Sequence, residues 1–185
     1  MNRGHSDLRD EIGNKAGRSK MGDRIALVKL VLMLVTAHLL AADKQEFLIW
    51  NSSELKGYEK TLHSRLGPDH TANLRLTDVN GHPVFVVHRE GTAPAEFHET
   101  LSHLIYVISG EAMLVVGGKL NGKQTTSPDP IPGGTVSLHA DSVTGGESRQ
   151  VAAGDVIQIP PKAPHWFKVG SGKQITYLML ILESK

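Results

Sequence analysis

Short apolar or alternating runs, separated by turn signals, dominate the chain from residue 73 onward. Runs of this length bounded by Gly, Asn and Ser are typical of β-strands, in which every second side chain faces the same side of a sheet. Eight strands are predicted in this way: Asn73–Val79, Pro83–Arg89, Leu104–Ile108, Ala112–Val116, Val151–Ala152, Val156–Ile159, His165–Val169 and Thr176–Leu182. Because no helical segments alternate with these strands, the pattern favours an all-β sandwich or barrel.

Two stretches within this region are predicted to lie between strands. Ser109-Gly110 separates two apolar runs and is interpreted as the turn of a hairpin. Lys123–Gly134 contains three prolines among polar residues and is interpreted as a loop. Neither stretch is therefore expected to contribute a strand.

A short amphipathic helix is predicted before the strands. It runs from Ser53 through Arg65, inside a helical or extended arm at residues 43–72. Ser52 or Ser53 is the expected N-cap, and Gly67-Pro68 would end the helix. The barrel domain then occupies residues 73–185.

The N-terminal region has the pattern of an export signal. Residues 1–20 are polar without apolar periodicity, so we interpret them as a disordered or spurious extension. Residues 21–42 combine a basic start, an apolar run from Leu30 and small residues at the end, as in a secretory signal peptide. The run is shorter than the about 20 residues of a spanning helix. Alternatives are an uncleaved anchor or an amphipathic helix packed on the domain. We expect cleavage near Ala42, a periplasmic or secreted protein, and no stable membrane insertion afterwards.

Composition restricts the classes of function. A chain of 185 residues is long enough for one domain with a sizeable core. The formal net charge of +1, without a basic stripe and interleaved aromatic residues, gives no indication of a nucleic-acid partner. The absence of cysteine excludes disulfides, thiolate nucleophiles and cysteine-type zinc sites. No phosphate-binding glycine loop or dinucleotide fingerprint is present in the sequence.

Four side chains in two stretches are candidates for a metal centre. Glu96 and His98 stand two residues apart, so on a strand they point to the same face. His103 flanks the next apolar run, and His165 lies some sixty residues further on, so both join only if the fold brings the two stretches together. Three imidazoles and a carboxylate suit one divalent first-row metal. Mn, Fe, Ni and Zn remain open.

The same residues resemble the two motifs of the cupin family, whose members are small jelly-roll barrels with a metal at the centre. Each motif combines glycines at turns with metal ligands on the neighbouring strands. The matching positions are Gly91, Glu96, His98, His103 and Gly110 in the first motif and Gly154, Pro160 and His165 in the second. The resemblance covers Thr77 to Leu182. It implies a cupin-type double-stranded β-helix and a homodimer paired through sheet edges.

The order of the ligands departs from the family pattern. Glu96 comes first and His103 stands where the family usually has glutamate, which gives Glu-His-His-His instead of His-His-Glu-His. The types of donor atom are kept, so the resemblance still implies metal binding. The catalytic properties of members with the usual order do not transfer to this arrangement.

Structural roles compete with the functional ones. The alternative for Glu96 is a solvated carboxylate at a strand edge, and the alternative for each of the three histidines is a hydrogen-bonded histidine without a metal. Glu99 lies on the opposite strand parity and is expected to face solvent, although it is also the alternative carboxylate ligand. His88 is expected to be a half-buried strand histidine, and His139 is placed in a loop without functional weight. Tyr106 is the best aromatic candidate for the pocket, because its hydroxyl needs a partner.

Three functions are compatible with such a centre. The first is a metal-dependent oxygenase, isomerase or lyase acting on a small oxygenated molecule. The second is a non-catalytic protein that binds a small molecule in the barrel, and the third is a barrel whose metal only stabilises the fold. An open coordination position favours the first, and a closed four-coordinate site favours the third. The sequence alone leaves catalysis and substrate open.

Overall fold

The computed structural model describes residues 47–131 and 135–184. The helix and strands within these residues lie in the unit Trp50–Lys185. In chain order they are α1 (Ser52–His63), β1 (Thr71–Val79), β2 (His82–Arg89), β3 (Ala95–Phe97), β4 (Leu101–Val116), β5 (Lys119–Pro128), β6 (Val136–Thr144), β7 (Glu147–Ala152), β8 (Val156–Ile159), β9 (His165–Lys168) and β10 (Ile175–Glu183).

Strand β4 connects the two faces of the barrel. It is sixteen residues long, and its first half pairs with β10 and β8 while its second half pairs with β7 and β9. One face continues from β10 through β2 to β1, and the other from β9 through β3 and β6 to β5. All of these strand pairs are antiparallel. The expected all-β, cupin-type jelly-roll class is therefore confirmed.

The predicted hairpin turn at Ser109-Gly110 is wrong, because β4 runs through it without a break. Gly110 has φ +76°, and the register with β10 shifts between Thr176 and Tyr177. A Cβ atom at Gly110 would lie 2.0 Å from the carbonyl oxygen of Gln174. The glycine therefore permits a bend, with a bulge in the pairing, where the strand passes from one face to the other.

The predicted polar loop at Lys123–Gly134 is also wrong over much of its length. Strand β5 continues to Pro128 and pairs with β6, which the sequence pattern did not reveal. Nearly every residue of β5 is exposed, so the strand carries no apolar alternation. His139 consequently lies on β6 and not in a loop.

The core fills the space between the two faces. Phe167 on β9 stacks on Tyr177 on β10, with 5.1 Å between ring centroids. Strand β2 separates this core from a second one, since Val87 packs inside the barrel while Val86 packs outside, against Leu62 of α1. The alternation of β2 thus decides which of its residues can reach an internal site.

Helix α1 is confirmed, but its N-cap is Asn51 and not Ser52 or Ser53. The Asn51 side chain accepts hydrogen bonds from the backbone amides of Ser53 and Glu54, and the Glu54 carboxylate accepts one from the backbone amide of Asn51. This capping box satisfies the free amides of the first turn, and the helix ends at His63.

The predicted extension at residues 1–20 and signal peptide at residues 21–42 lie outside the described residues, as does the start of the arm at 43–72. Among residues 47–131 and 135–184, no helix combines the length and apolar character needed to cross a membrane.

Candidate metal centre

Three buried histidines from separate elements meet inside the barrel. His98 directly follows β3, His103 is the third residue of β4, and His165 is the first residue of β9. Their ring centroids are 4.7, 5.3 and 5.1 Å apart, and one ligand nitrogen from each lies within 4.8 Å of the other two. Pairing of Glu96 on β3 with His165 on β9 brings the two sequence motifs together.

A hydrogen-bonded relay orients His98. Its Nδ1 lies 2.7 Å from the hydroxyl of Ser137, and that hydroxyl in turn donates to the carboxylate of Asp129. Because the carboxylate only accepts, the Ser137 oxygen accepts from Nδ1–H of His98. The lone pair of a neutral His98 is therefore on Nε2, which has no hydrogen-bond partner within residues 47–131 and 135–184.

His165 is oriented in the same sense by the backbone. Its Nδ1 donates to the carbonyl oxygen of Ala163 at 3.0 Å, which leaves Nε2 as the free donor atom toward a metal. The Nε2 atom of His103 is also buried, without a hydrogen-bond partner in the part of the chain that the structure describes. The three imidazole rings thus meet in one small region, and hydrogen bonds at Nδ1 fix the tautomers of His98 and His165.

Glu96 lies beside this cluster and is held by Arg89. Its Oε1 accepts from Nη2 of Arg89 at 2.7 Å, while Oε2 lies 3.7 Å from Nε2 of His98 and 4.0 Å from Nε2 of His165. Arg89 is itself fixed, because its Nε donates to the hydroxyl of Tyr177 at 3.0 Å. One carboxylate oxygen is therefore occupied and the other faces the imidazoles.

The protonation states suit metal binding. Burial, with the neighbouring rings of His165 and His98, lowers the pKa of His103 to about 3. Burial also lowers the pKa of His165. Burial acts to raise the pKa of Glu96, but polar interaction with His98 and the charge of Arg89 hold that pKa well below its usual value. At neutral pH His103 and His165 are accordingly neutral imidazoles and Glu96 is a carboxylate, the forms that bind metals.

A cavity of about 380 Å³ reaches this cluster and includes Glu96, His98 and His103 in its lining. Apolar side chains form part of its wall, chiefly Phe85, Met179 and Ile181. Polar side chains form another part: Thr71, Asn73, Ser127, Ser137 and His139. The volume is within the range of small-molecule sites.

The other residues considered from the sequence have different positions. Glu99 faces solvent, as predicted, and its carboxylate lies 3.1 Å from Nζ of Lys162. His88 is fully buried and not half-buried, and it points away from the barrel interior. Tyr106 is 44% exposed and does not line the cavity, so its assignment to the pocket is wrong. His139 does line the cavity, where its Nε2 lies 2.8 Å from the Ser127 hydroxyl.

Three residues of the site were missed in the sequence. Ser137 and Asp129 fall in or beside the stretch interpreted as a loop, and Arg89 was seen only as the end of a strand. The alternation Val136-Ser137-Leu138 was a signal for β6 that could have placed Ser137 on a strand. No local pattern pointed to Arg89, since it lies seven residues from Glu96 and 88 residues from Tyr177 in the chain.

The residues present fit a divalent metal. In the described part of the chain two imidazole Nε2 atoms are buried without a hydrogen-bond partner, and a buried polar atom of this kind costs free energy unless something binds it. The donor set of nitrogen and carboxylate oxygen suits first-row metals. The relay through Ser137 to Asp129 is the kind of outer contact that fixes the tautomer of a ligating histidine.

The sequence matches no protein-family model and no curated protein. Similar solved structures include the polyketide cyclase RemF from Streptomyces resistomycificus, with 21% identity over 63% of this chain and 66% of that one and a TM-score of 0.40. A cupin-2 domain protein from Rhodospirillum rubrum has 14% identity over 63% of each chain and a TM-score of 0.43. A cupin 2 conserved barrel domain protein from Rhodopseudomonas palustris has 16% identity over 62% of this chain and 63% of that one, with a TM-score of 0.41.

These alignments span just under two thirds of the neighbours' own length. The family assignment made from the two sequence motifs agrees with the strand order of the barrel and with the meeting of both motifs inside it. The chain therefore has the barrel fold that its resemblance to the cupin family implies.

Proposed function

We propose that this chain is a metal-binding single-domain cupin with an open site for a small oxygenated ligand or substrate. Glu96, His98, His103 and His165 would hold one divalent first-row metal. The observation that carries the proposal is the pair of buried Nε2 atoms, on His98 and His103, that have no hydrogen-bond partner among the described residues, beside a third oriented imidazole. A buried polar atom without a partner lowers the stability of the fold unless a ligand such as a metal binds it.

The metal, when bound, would supply a Lewis acid that polarises a carbonyl or activates water. The contribution of the chain is orientation and charge. Arg89 keeps Glu96 ionised and positioned, and the relay from Asp129 through Ser137 keeps the His98 lone pair directed inward. The identity of the metal and the type of reaction do not follow from these contacts.

The cavity supports a small-molecule partner. It leads to the proposed ligands and has both apolar and polar walls, which suits an organic molecule with a few oxygen atoms. The guanidinium of Arg89 is already paired with Glu96 and Tyr177, so its charge is not free to attract a strongly anionic ligand. We therefore propose a ligand that is not strongly anionic and that approaches the metal through its oxygen atoms.

The test is metal analysis of the purified full chain, without added metal, by mass spectrometry. We expect a single bound divalent metal at this centre, which His98→Ala and His165→Ala remove. His82→Ala is the matched control, because His82 lies at the start of β2, away from the cavity lining. Unchanged metal content in both His98→Ala and His165→Ala would reject the proposal.

We also propose export and a homodimer. Export rests on the signal-like sequence of residues 21–42, and N-terminal sequencing of the protein from its native cells should find a terminus near Ala42 or Asp43. A chain that retains Met21 would contradict export. The dimer rests on the family resemblance, and a monomer in sedimentation at micromolar concentration would contradict it.

A further inference from the structure

A second group of metal-binding side chains lies on the outside of the barrel, between helix α1 and strand β2. It consists of His63, the last residue of the helix, His88 on the strand, and Glu90 just after it. Oε1 of Glu90 lies 2.9 Å from Nε2 of His88, and the same oxygen contacts Nδ1 of His63. His88 is 1% exposed, whereas His63 is open to solvent.

A chain of hydrogen bonds fixes the orientation of His88. The Glu59 carboxylate accepts from Nε2 of Gln174 at 3.4 Å, so the amide oxygen of Gln174 faces the Thr176 hydroxyl. Thr176 donates to that amide oxygen at 3.2 Å. The Thr176 oxygen is therefore the acceptor for Nδ1–H of His88, at 2.8 Å.

The direction of these hydrogen bonds determines what the other nitrogen of His88 presents to Glu90. With its proton on Nδ1, a neutral His88 presents the lone pair of Nε2 to the carboxylate of Glu90 at 2.9 Å. Two acceptors at that distance repel unless a cation lies with them.

We propose that His63, His88 and Glu90 form a second binding site for a divalent transition metal such as zinc. Two imidazoles and one carboxylate are a common set of three protein ligands for zinc, with water at the fourth position. The exposure of His63 provides the access for that water. The chain from Thr176 to Glu59 supplies the outer contacts that orient a ligating histidine.

The position of this site gives it a mechanical effect. His63 belongs to α1 and His88 to the barrel, so a metal bound by both would tie the helix to the barrel wall. Because a ligand that binds only the folded state stabilises it, zinc should raise the melting temperature of the whole protein. The site is independent of the centre inside the barrel, since it shares no ligand with it.

The test uses the full chain with His98→Ala and His165→Ala, which removes the inner centre, and zinc as the probe. We expect one equivalent of zinc in this background, with a zinc-dependent rise in melting temperature. Adding His63→Ala should remove both, and adding Glu90→Gln should do the same with nearly unchanged shape. His82→Ala is the control and should retain both effects.

The proposal would be overturned if the background variant bound no zinc at micromolar concentration, because the cation beside His88 would then be a proton. It would also be overturned if zinc bound equally well after His63→Ala and Glu90→Gln. His63 is an exposed side chain at a helix end, so its replacement should leave the fold intact. If the inner centre binds no metal, the wild-type protein should bind one equivalent of zinc, and His63→Ala should abolish that binding.

Discussion

Removal of one hydroxyl, in Ser137→Ala, should weaken metal binding without touching a proposed ligand. Ser137 is 3% exposed and links Nδ1 of His98 to the carboxylate of Asp129. These two groups lie 3.8 Å apart in the structure, which is too long for a hydrogen bond without the hydroxyl between them. The His98 ring then loses the contact that keeps its lone pair on Nε2.

The size of the effect follows from this geometry. Loss of an outer hydrogen bond to a ligating histidine weakens metal affinity by about tenfold to a hundredfold. That range equals about 1.4–2.7 kcal/mol of binding free energy. We expect the lower part of the range, because Asp129 needs to move by only about 1 Å to reach a hydrogen-bond distance of about 2.8 Å from the present 3.8 Å.

The assay is competition between the protein and a chromophoric chelator for cobalt or zinc. Ser142→Ala is the matched control, because Ser142 lies on the same strand and accepts one hydrogen bond, from Asn121, away from the metal centre. We expect the control to retain wild-type affinity. An unchanged affinity in Ser137→Ala, with the fold intact by circular dichroism, would refute the claim that the relay orients His98.

Three further predictions concern the ligand set, the pH and the barrel bend. Glu96→Ala should lower metal affinity, and full metal occupancy in chelator competition would mean that the site is three histidines with water or Glu99. Metal-free protein should lose stability as pH falls from 6.5 toward 3, because the folded state keeps His103 unprotonated with a pKa of about 3 whereas the unfolded chain binds the proton. The expected loss of unfolding free energy is about 1.4 kcal/mol per pH unit for this group. Denaturant unfolding that shows no loss between pH 6.5 and 4 would contradict this prediction. Gly110→Ala should destabilise the fold by at least about 1–2 kcal/mol in the same assay, because its φ is +76° and the new methyl would meet Gln174, whereas Gly57→Ala, in open space on the helix, should not.

The sequence predicts well those parts of the fold whose strands have a buried face. Strand β8 was placed at Val156–Ile159, with the bounds found in the structure, because glycine and proline stand on either side of it. Strand β5 was missed because almost all of its residues are exposed and no apolar alternation marks them. A strand held only by its backbone pairing to a neighbour leaves little trace in the hydrophobic pattern.

The turn signal at Ser109-Gly110 shows a different limit. A glycine with positive φ serves a hairpin turn and a strand bend equally well, so the residue type alone does not separate the two. The structure decides through the close approach of Gln174, a contact with a residue more than sixty positions away. Long-range contacts of this kind are not encoded in any local window.

The candidate site also has one part that the sequence predicts and another that it does not. The convergence of Glu96, His98, His103 and His165 was expected from the motifs, and the structure brings these side chains together, while their role as ligands stays a prediction. The partners that orient them could not be predicted, because Arg89, Asp129 and Ser137 reach the site only through tertiary pairing.

The cavity bears on which of the three functions the centre serves. A metal that only stabilises a fold is usually enclosed by four protein ligands. Here a cavity of about 380 Å³ includes His98 and His103 in its lining, so a metal at this centre would be reached from outside. The two unpartnered Nε2 atoms also lower the stability of the metal-free barrel, a cost that apolar side chains at the same positions would avoid. Any bound metal would remove this cost, whereas access favours a centre that binds a ligand or substrate over one that only holds the barrel together.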